Sequence, residues 1–491
     1  MHQKRPQFSL GRWFKPIRVR DNDGLVQRLS LPRYLPDVIP EFVATPAISR
    51  FLANIVRARC GLASNLFPTC EAVFHLMARS VYFQNFRELW RQPNFSWYMG
   101  GQTIALVGMW AQRIAIGWLT WELTRSHFWL GAIAFADLFP TIVITPFAGV
   151  LADRINRLNM SRLCQTVAGI HAFILSALTF SGYIEIWSLF ALTMVLGVVL
   201  AFGTAARLAL VPNLMDARYV PSAIGTDSSI YNMARVVGPM IAAAAISLIG
   251  TGATFLFNGF CYAIFVFCMF RIHLVRSETV GSGGNLFSQA FDGMRYAARH
   301  PGIGPALVLL AATALGIKPF LELLPGLADG VFKAGVEGFA SFAAIAGAGA
   351  ILAGMWVAVR GTPQGTTRIA FGSMMLGAAG VFLVSATEIF WVGLAGTFLA
   401  GAAITLAGTS TQILMQNSVE GAVRGRVMSL YGMVHRGGPA LGAVIIGGFA
   451  EQVGLQPALT GGGVLTAIVF VVMLRRYRPM VLALERRSNG T

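Results

Sequence analysis

Apolar stretches long enough to cross a membrane fill the chain from Ser96 to Leu474. About twelve can be separated, each close to the ~20 residues that a helix rising 1.5 Å per residue needs to cross ~30 Å of hydrocarbon. Charged residues are only 12% of the composition, too few for a soluble domain of 491 residues. Helices satisfy their own backbone hydrogen bonds in lipid, so the sequence predicts an all-α membrane protein.

The twelve predicted spans follow one another with short connections. Their bounds are 96–122, 129–152, 160–182, 186–214, 220–249, 252–270, 302–327, 336–358, 368–386, 389–416, 423–450 and 457–474. Since the number of spans is even, both termini are expected on the same side of the membrane.

The distribution of Lys and Arg predicts which side that is. Of 38 such residues, 31 lie before the first span, in the tail, or in the loops after even-numbered spans together with the first four residues of the spans that follow them. Only Arg125 and Lys333 lie in the opposite loops, and five are deep inside spans. Positive residues accumulate on the cytoplasmic side, so the termini are predicted to be cytoplasmic and the location to be the inner (plasma) membrane. The net charge of +17 then reports orientation and contact with membrane lipids, not nucleic-acid binding.

A repeat divides the spans into two halves. Tyr231-x-Met233 followed by Gly238-Pro239 recurs 200 residues later as Tyr431-x-Met433 followed by Gly438-Pro439. The pattern indicates two six-helix repeats, with a binding site near the midplane between them. It sets the predicted domains: a basic cytoplasmic extension 1–95, a first half 96–270, a cytoplasmic linker 271–301, a second half 302–474 and a basic tail 475–491. The extension contains two candidate amphipathic helices, near 48–56 and 73–81. Their pattern fits helices that lie on the membrane surface and equally fits helices that pack on the bundle.

The second predicted span ends in the motif Gly149-Val150-Leu151-Ala152-Asp153-Arg154. This motif resembles the signature that members of the major facilitator superfamily carry between their second and third spans. Further motifs are similar to the branch of enterobactin exporters and macrolide efflux proteins: Trp118-Leu119-x-x-Glu122, Asp292-Gly293-Met294-Arg295-Tyr296, Glu322-Leu323-Leu324-Pro325 and Arg424-Gly425-Arg426. The resemblance implies the major facilitator fold and transport by alternating access. Gly238-Pro239 resembles the fifth-span motif of the family's antiporters, while a simple packing kink is the alternative.

A cytoplasmic gate is predicted around the signature. Asp153 ends span 2, where it can meet the first turn of span 11 with its free N–H groups and the cations Arg424 and Arg426. The gating candidates are Asp153, Arg154, Arg157, Asp216, Glu420, Arg424 and Arg426. A purely topogenic role for the arginines is the alternative.

Charges inside spans mark the candidate cavity, because they are costly in lipid unless they face water or partners. Arg113 and Asp137 lie at similar depth and are expected to pair, and Lys318 and Glu322, four residues apart, are expected to pair as well. Asp137 and Glu322 are the proton-coupling candidates. The substrate-contact candidates are Arg113, Arg235, Lys318, His435 and Arg436, with Trp110, Trp118, Phe139 and Phe320 as surrounding aromatics. Deep cations outnumber deep carboxylates by two, which favours an anionic substrate; internally paired structural charges are the alternative.

The predicted function is proton-coupled efflux of small amphipathic molecules, with anionic, siderophore-like and drug-like molecules as the candidate substrates. Lysophospholipid or other lipid transport remains an alternative, as does a non-transporting scaffold that recruits a partner through the extension. Neither a metal-ligand spacing nor a phosphate-binding loop is present in the sequence, so no metal, cofactor or enzymatic activity is predicted. The expected partners are a small-molecule substrate, protons and membrane lipids, with no nucleic acid.

Overall fold

The structure is a computed structural model that describes residues 14–20, 26–32, 88–154, 156–216, 219–273, 295–360, 362, 364–419 and 421–485. The chain divides into two units, Met1–Glu88 and Leu89–Thr491. In the first unit, strand β1 (Phe14–Arg20) pairs antiparallel with β2 (Val26–Pro32) to form a hairpin. The amphipathic helices predicted near 48–56 and 73–81 lie outside the described residues.

The first half of the helical unit contains six long helices. They are α1 (Pro93–Thr124), α2 (His127–Arg154), α3 (Arg157–Phe180), α4 (Ile186–Leu210), α5 (Val220–Ile249) and α6 (Thr251–Phe270). Helix ends follow local chemistry: Pro93 occupies the first turn of α1, and the Asn156 side chain accepts N–H groups of the first turn of α3.

The second half begins differently from the first. Helix α7 covers only Ile303–Gly316 and is followed by a 3₁₀ turn (Lys318–Leu321), one helical turn (Leu324–Gly326) and a π-helical segment (Leu327–Val331). The remaining helices are α8 (Gly335–Arg360), α9 (Thr366–Ser385), α10 (Phe390–Ser418), α11 (Gly421–Val453), α12 (Leu455–Leu474) and the short α13 (Tyr477–Leu484).

The prediction of one helix from 302 to 327 is therefore wrong. The regular helix stops at Gly316 because Pro319 and Pro325 each lack a backbone N–H, and because the residue before a proline avoids helical dihedrals. Lys318 and Glu322 consequently lie on irregular backbone between α7 and α8 and not on one face of a helix.

Ten of the described helical stretches are long and apolar enough to cross a membrane. Helices α1 and α11 are 32 and 33 residues long but are not among the ten. Both carry polar residues in their middle, including Arg113 in α1 and Arg436 in α11. The same two helices line the cavity described below.

The described buried side chains form one shared core, two large separate cores and a small cluster of Met160, Cys164 and Ala206. The end of the bundle at which α1 finishes, here called the Thr124 end, has a core that draws side chains from both halves, such as Trp118, Ile246, Phe320 and Ile446. At the opposite end, the Leu89 end, one core contains first-half residues around Leu89 and another contains second-half residues around Ile303. Among the described side chains, packing thus joins the halves at the Thr124 end.

Candidate functional site

A cavity of about 460 Å³ lies between the two halves. Helices α1, α2, α5, α8, α10 and α11 and the irregular segment after α7 supply its walls. Its charged lining consists of Arg113, Arg235, Lys318, Glu322 and Arg436. All of these are residues that the sequence had indicated as candidates.

Arg113 binds two carboxylates, one from each half. Its Nη2 lies 3.0 Å from Glu322 Oε1 and 3.3 Å from Asp137 Oδ2. The expected Arg113–Asp137 pair is present, and the Glu322 contact adds a link that crosses from α1 to the segment after α7. The Asp137 and Glu322 side chains are 19% and 20% exposed, so both are largely desolvated. Glu322 lines the cavity, whereas Asp137 lies behind the lining and contacts it through Arg113. One guanidinium therefore balances two carboxylates and joins the halves.

Lys318 has a different partner from the one the sequence suggested. Its Nζ donates to the backbone carbonyl of His435 at 2.8 Å, while Glu322 binds Arg113. His435 lies four residues before Pro439, which has no N–H, so this carbonyl lacks its ordinary helical donor. Lys318 thus replaces the hydrogen bond that proline removes from α11. The predicted Lys318–Glu322 pair is wrong because the chain between these residues is not a regular helix.

Trp110 lies between two cations. The guanidinium carbons of Arg113 and Arg235 are each 5.7 Å from its ring. No described carboxylate forms an ion pair with Arg235, Lys318 or Arg436. These three side chains provide the positive charge that the cavity's own carboxylates do not neutralise.

The α10 and α11 side of the cavity is polar without being acidic. Thr405, Thr409 and Gln412 face it from α10. The Tyr431 ring stacks on the His435 ring at 5.3 Å, and its hydroxyl donates to the Gly408 carbonyl at 3.1 Å. Sequence reasoning did not select Tyr231 or Tyr431 as lining residues, although both belong to the repeat and lie one helical turn before Arg235 and His435.

The other aromatic candidates lie outside the lining. Phe320 is fully buried, and Trp118 stacks on Phe339 at 6.3 Å within the shared core. Phe139 stacks on Phe135 at 4.4 Å and is 36% exposed. Only Trp110 of the four predicted aromatics faces the cavity.

The repeated Gly-Pro pairs bring helices into close contact. A Cβ on Gly238 would lie 2.5 Å from the Trp110 Cβ of α1, and a Cβ on Gly438 would lie 2.6 Å from the Ala314 Cβ of α7. The glycines thus let α5 approach α1 and let α11 approach α7 at the level of the cavity cations.

Polar contacts close the Thr124 end between the halves. Arg125 forms an ion pair with Asp329, and the Trp121 indole N–H donates to the same carboxylate at 2.8 Å. The Ser126 hydroxyl donates to Glu451 at 2.6 Å, and the Phe128 N–H donates to it at 3.0 Å. The sequence analysis missed these contacts, because both carboxylates lie near helix ends with no distinguishing motif.

The gating candidates gather at the Leu89 end. Asp153 and Arg154 end α2, which runs two residues further than predicted, and Arg424 and Arg426 lie in the first turns of α11. The side chains of these four residues and all of Glu420 lie outside the described part. Arg157 begins α3 half-buried, and Asp216 is exposed after α4. The predicted gate contact therefore stays a prediction.

A further ion pair joins α4 to α5 away from the cavity lining. Arg207 Nη1 lies 3.6 Å from Asp227 Oδ1, and both side chains are about three-quarters buried. This pair accounts for one deep cation and one deep carboxylate of the sequence analysis, and neither residue lines the cavity.

Comparison with known proteins gives a consistent family. The family model described as transmembrane secretion effector matches residues 88–489. The staphyloferrin A transporter of Staphylococcus aureus is 23% identical over 402 residues, covering 80% of this chain and 99% of the relative. Macrolide efflux protein A of Streptococcus pyogenes is 22% identical over 380 residues, covering 76% and 93%.

A solved structure agrees with the fold. The crystal structure of the nucleoside transporter NupG superposes with a TM-score of 0.59 at 12% identity, covering 77% of this chain and 99% of that one. At this identity the likeness concerns the fold alone.

Proposed function

Because the chain belongs to the transmembrane secretion effector family of the major facilitator superfamily, we propose that it is a proton-coupled exporter of small amphipathic anions. The family and the transporter relatives make it a multi-pass membrane transporter and not an enzyme. Substrate class and coupling are the parts of this statement that we propose.

The surplus positive charge of the cavity carries the proposal. Arg235, Lys318 and Arg436 face the space with no carboxylate bound to them, while Arg113 is already balanced. Cations in a low-dielectric cavity attract anions strongly, and an empty cavity of this charge is costly to maintain. Trp110, Tyr231, Phe339 and Ile404 supply the apolar surface that an amphipathic substrate needs.

Proton coupling is proposed for Asp137 and Glu322. Protonation of Glu322 would remove the charge that holds Arg113 across the halves, so the cross-half contact would weaken. A substrate anion would then compete for the same guanidinium. Proton binding and anion binding are therefore linked at Arg113, and this competition alone would move proton and anion together. Export driven by an inward proton gradient requires the opposite coupling, which the resemblance of Gly238-Pro239 to the antiporter motif favours. A purely structural triad is the alternative.

Twelve spans with cytoplasmic termini are part of the proposal. The asymmetry of 31 against two basic residues supports this orientation. In that orientation the Thr124 end, where the described packing joins the halves, faces outward and the Leu89 end faces the cytoplasm. Asp153 is proposed to meet the first turn of α11 in the state in which the Leu89 end is closed.

A binding series tests the substrate class. We would measure the affinity of the purified full chain for an aromatic carboxylate and for the amide and the amine of the same compound. The measurements would be made on wild type, Arg235→Gln and Arg207→Gln. Arg207 is the matched control, a deep cation that binds Asp227 outside the cavity lining. In wild type we expect the carboxylate to bind about tenfold more tightly than the amide. Of the two variants, we expect Arg235→Gln to remove that preference and Arg207→Gln to keep it. Equal affinity for carboxylate and amine in wild type would contradict an anionic substrate.

A further inference from the structure

A second concave surface lies on the lipid-facing side of the bundle, away from the central cavity. It encloses about 330 Å³ between α2, α4 and α11. Its nine lining residues are all apolar: Phe128, Trp129, Ala132, Phe135, Trp187, Phe190, Leu441, Val444 and Ile445. We call it the seam groove, because α2 belongs to the first half and α11 to the second.

The floor of the seam groove cannot collapse inward. A Cβ on Gly131 of α2 would lie 2.9 Å from the Val444 Cα, and a Cβ on Gly447 of α11 would lie 3.3 Å from the Phe128 Cα. The two backbones are thus already in contact beneath the groove. Because neither helix can move closer, the space above them must be filled from outside or remain a void that forfeits dispersion contacts.

The other aromatic cluster near the Thr124 end is filled by the chain itself. There Phe332, from the connection before α8, packs on Phe342 at 5.0 Å and on Phe390 at 6.5 Å. The connection between α1 and α2 has only two residues, Arg125 and Ser126, and supplies no such side chain. The seam groove instead leaves Trp187 68% exposed and Ile445 54% exposed.

The groove has the length and depth of one leaflet. Phe128 and Trp187 are the second residues of α2 and α4, where indole and phenyl rings meet the headgroup level. Leu441 lies twelve residues before the end of α11, a depth of about 18 Å, or roughly half of the hydrocarbon thickness. The groove therefore runs from the aromatic belt to the bilayer midplane.

We propose that one acyl chain of a membrane phospholipid occupies the seam groove and bridges the two halves at the Thr124 end. Lipid and groove are equally apolar, so the hydrophobic effect does not hold the chain in place. Dispersion contacts with the aromatic walls do, since packing against a folded surface is denser than packing in liquid hydrocarbon. The proposal rests on membrane insertion alone and not on the anionic substrate.

Photolabelling tests the site. The purified full chain would be reconstituted in phosphatidylcholine carrying a diazirine on one acyl chain, irradiated and mapped by mass spectrometry. The exposed residues of α12, namely Val464, Leu465, Ile468, Val471 and Val472, serve as the reference surface. We expect labelling at Phe128–Phe135 and Leu441–Ile445 to exceed the reference by roughly threefold or more, because a chain held in a groove stays longer than one passing a flat face.

Two variants separate a groove from general lipid contact. Ala132→Phe fills the floor and should reduce groove labelling to the reference level, while Ile468→Trp adds bulk to an exposed position of α12 and should leave it unchanged. If Ala132→Phe does not fold, Ile445→Trp blocks the same groove from its rim. Equal labelling of groove and reference in wild type, or groove labelling unchanged in the filled variant, overturns the proposal. Since no substrate or gradient is present, this result is independent of the anion experiment.

Discussion

In the first half, α1 continues without interruption past Arg113, whereas in the second half α7 ends at Gly316 and Lys318 lies on the irregular chain that follows. Both cations face the same cavity beside a Gly-Pro helix. Arg113 binds the carboxylates of Asp137 and Glu322, but Lys318 binds a backbone carbonyl freed by Pro439.

The difference separates two kinds of contact. A carboxylate partner can be neutralised by a proton, so the Arg113 contact can respond to pH and to a competing anion. A carbonyl partner carries no charge that a proton could neutralise, so the Lys318 contact responds to the shape of α11 or to an anion that draws the lysine away. The duplicated halves thus place a carboxylate-held cation on one side of the cavity and a carbonyl-held cation on the other.

The largest effect is expected from Arg113→Gln, because it removes the shared partner of two desolvated carboxylates. We expect transport to be lost and the free energy of unfolding to fall by about 2 kcal/mol. The loss is smaller than for a fully buried pair because these side chains are partly exposed. Transport assays in proteoliposomes and thermal unfolding in detergent measure the two effects. Exchanging the charges, Arg113→Glu with Glu322→Arg, should recover part of the transport; a double variant no better than either single change would contradict the pairing.

Next in size is the response of Glu322→Gln to pH. The amide imitates a protonated carboxyl, so this variant should bind the substrate anion at every pH as tightly as wild type does at low pH. Asp137→Asn should reduce the dependence of binding on pH to a smaller extent. Anion binding measured from pH 5 to 8 tests this. If both variants depend on pH as wild type does, Asp137 and Glu322 do not carry the proton coupling. A pH-sensitive dye inside the vesicles reports in which direction protons move while the anion is transported. The resemblance of the fifth-span Gly-Pro motif favours movement in opposite directions, whereas competition at Arg113 favours movement together.

A smaller effect should come from the second half. Lys318→Met leaves the His435 carbonyl without a donor, which costs about 1 kcal/mol of stability. In a Pro439→Ala background the restored N–H of residue 439 can satisfy that carbonyl, so the same lysine change should cost less. A double-mutant cycle on thermal unfolding gives the coupling energy. Additive effects would show that the lysine and the proline do not act through the same carbonyl.

The smallest effect is expected at the Thr124 end. The Arg125 side chain is 61% exposed, so losing its ion pair in Asp329→Asn should cost about 0.5 kcal/mol. The change should nevertheless raise the population open at that end, because Asp329 joins the two halves. Glu185→Gln, at the start of α4 and with its hydrogen bonds inside the first half, is the control. Accessibility of residues near Trp121 to a water-soluble label measures the opening. Identical labelling of both variants would show that the Arg125–Asp329 ion pair does not keep this end closed.

The helices themselves were largely predictable. Apolar length and composition are local properties, so predicted spans such as 220–249 and 252–270 agree with α5 and α6 to within a residue. The repeat identified the Gly-Pro pairs, and the cost of charge in lipid indicated the cavity residues. The comparisons confirm that the chain belongs to the transporter family that its motifs resemble.

What the sequence determined was which residues lie in the bundle and which charges must face a cavity, because hydrophobicity and charge act at each position separately. Partner choice was decided by the tertiary structure. Glu322 was as close in sequence to Lys318 as a helical pair requires, yet the break after Gly316 turned it to Arg113, 209 residues away. The seam groove likewise arises only where α2 and α11 meet, because an unfilled space depends on how two distant helices pack and on which connection supplies a side chain to fill it.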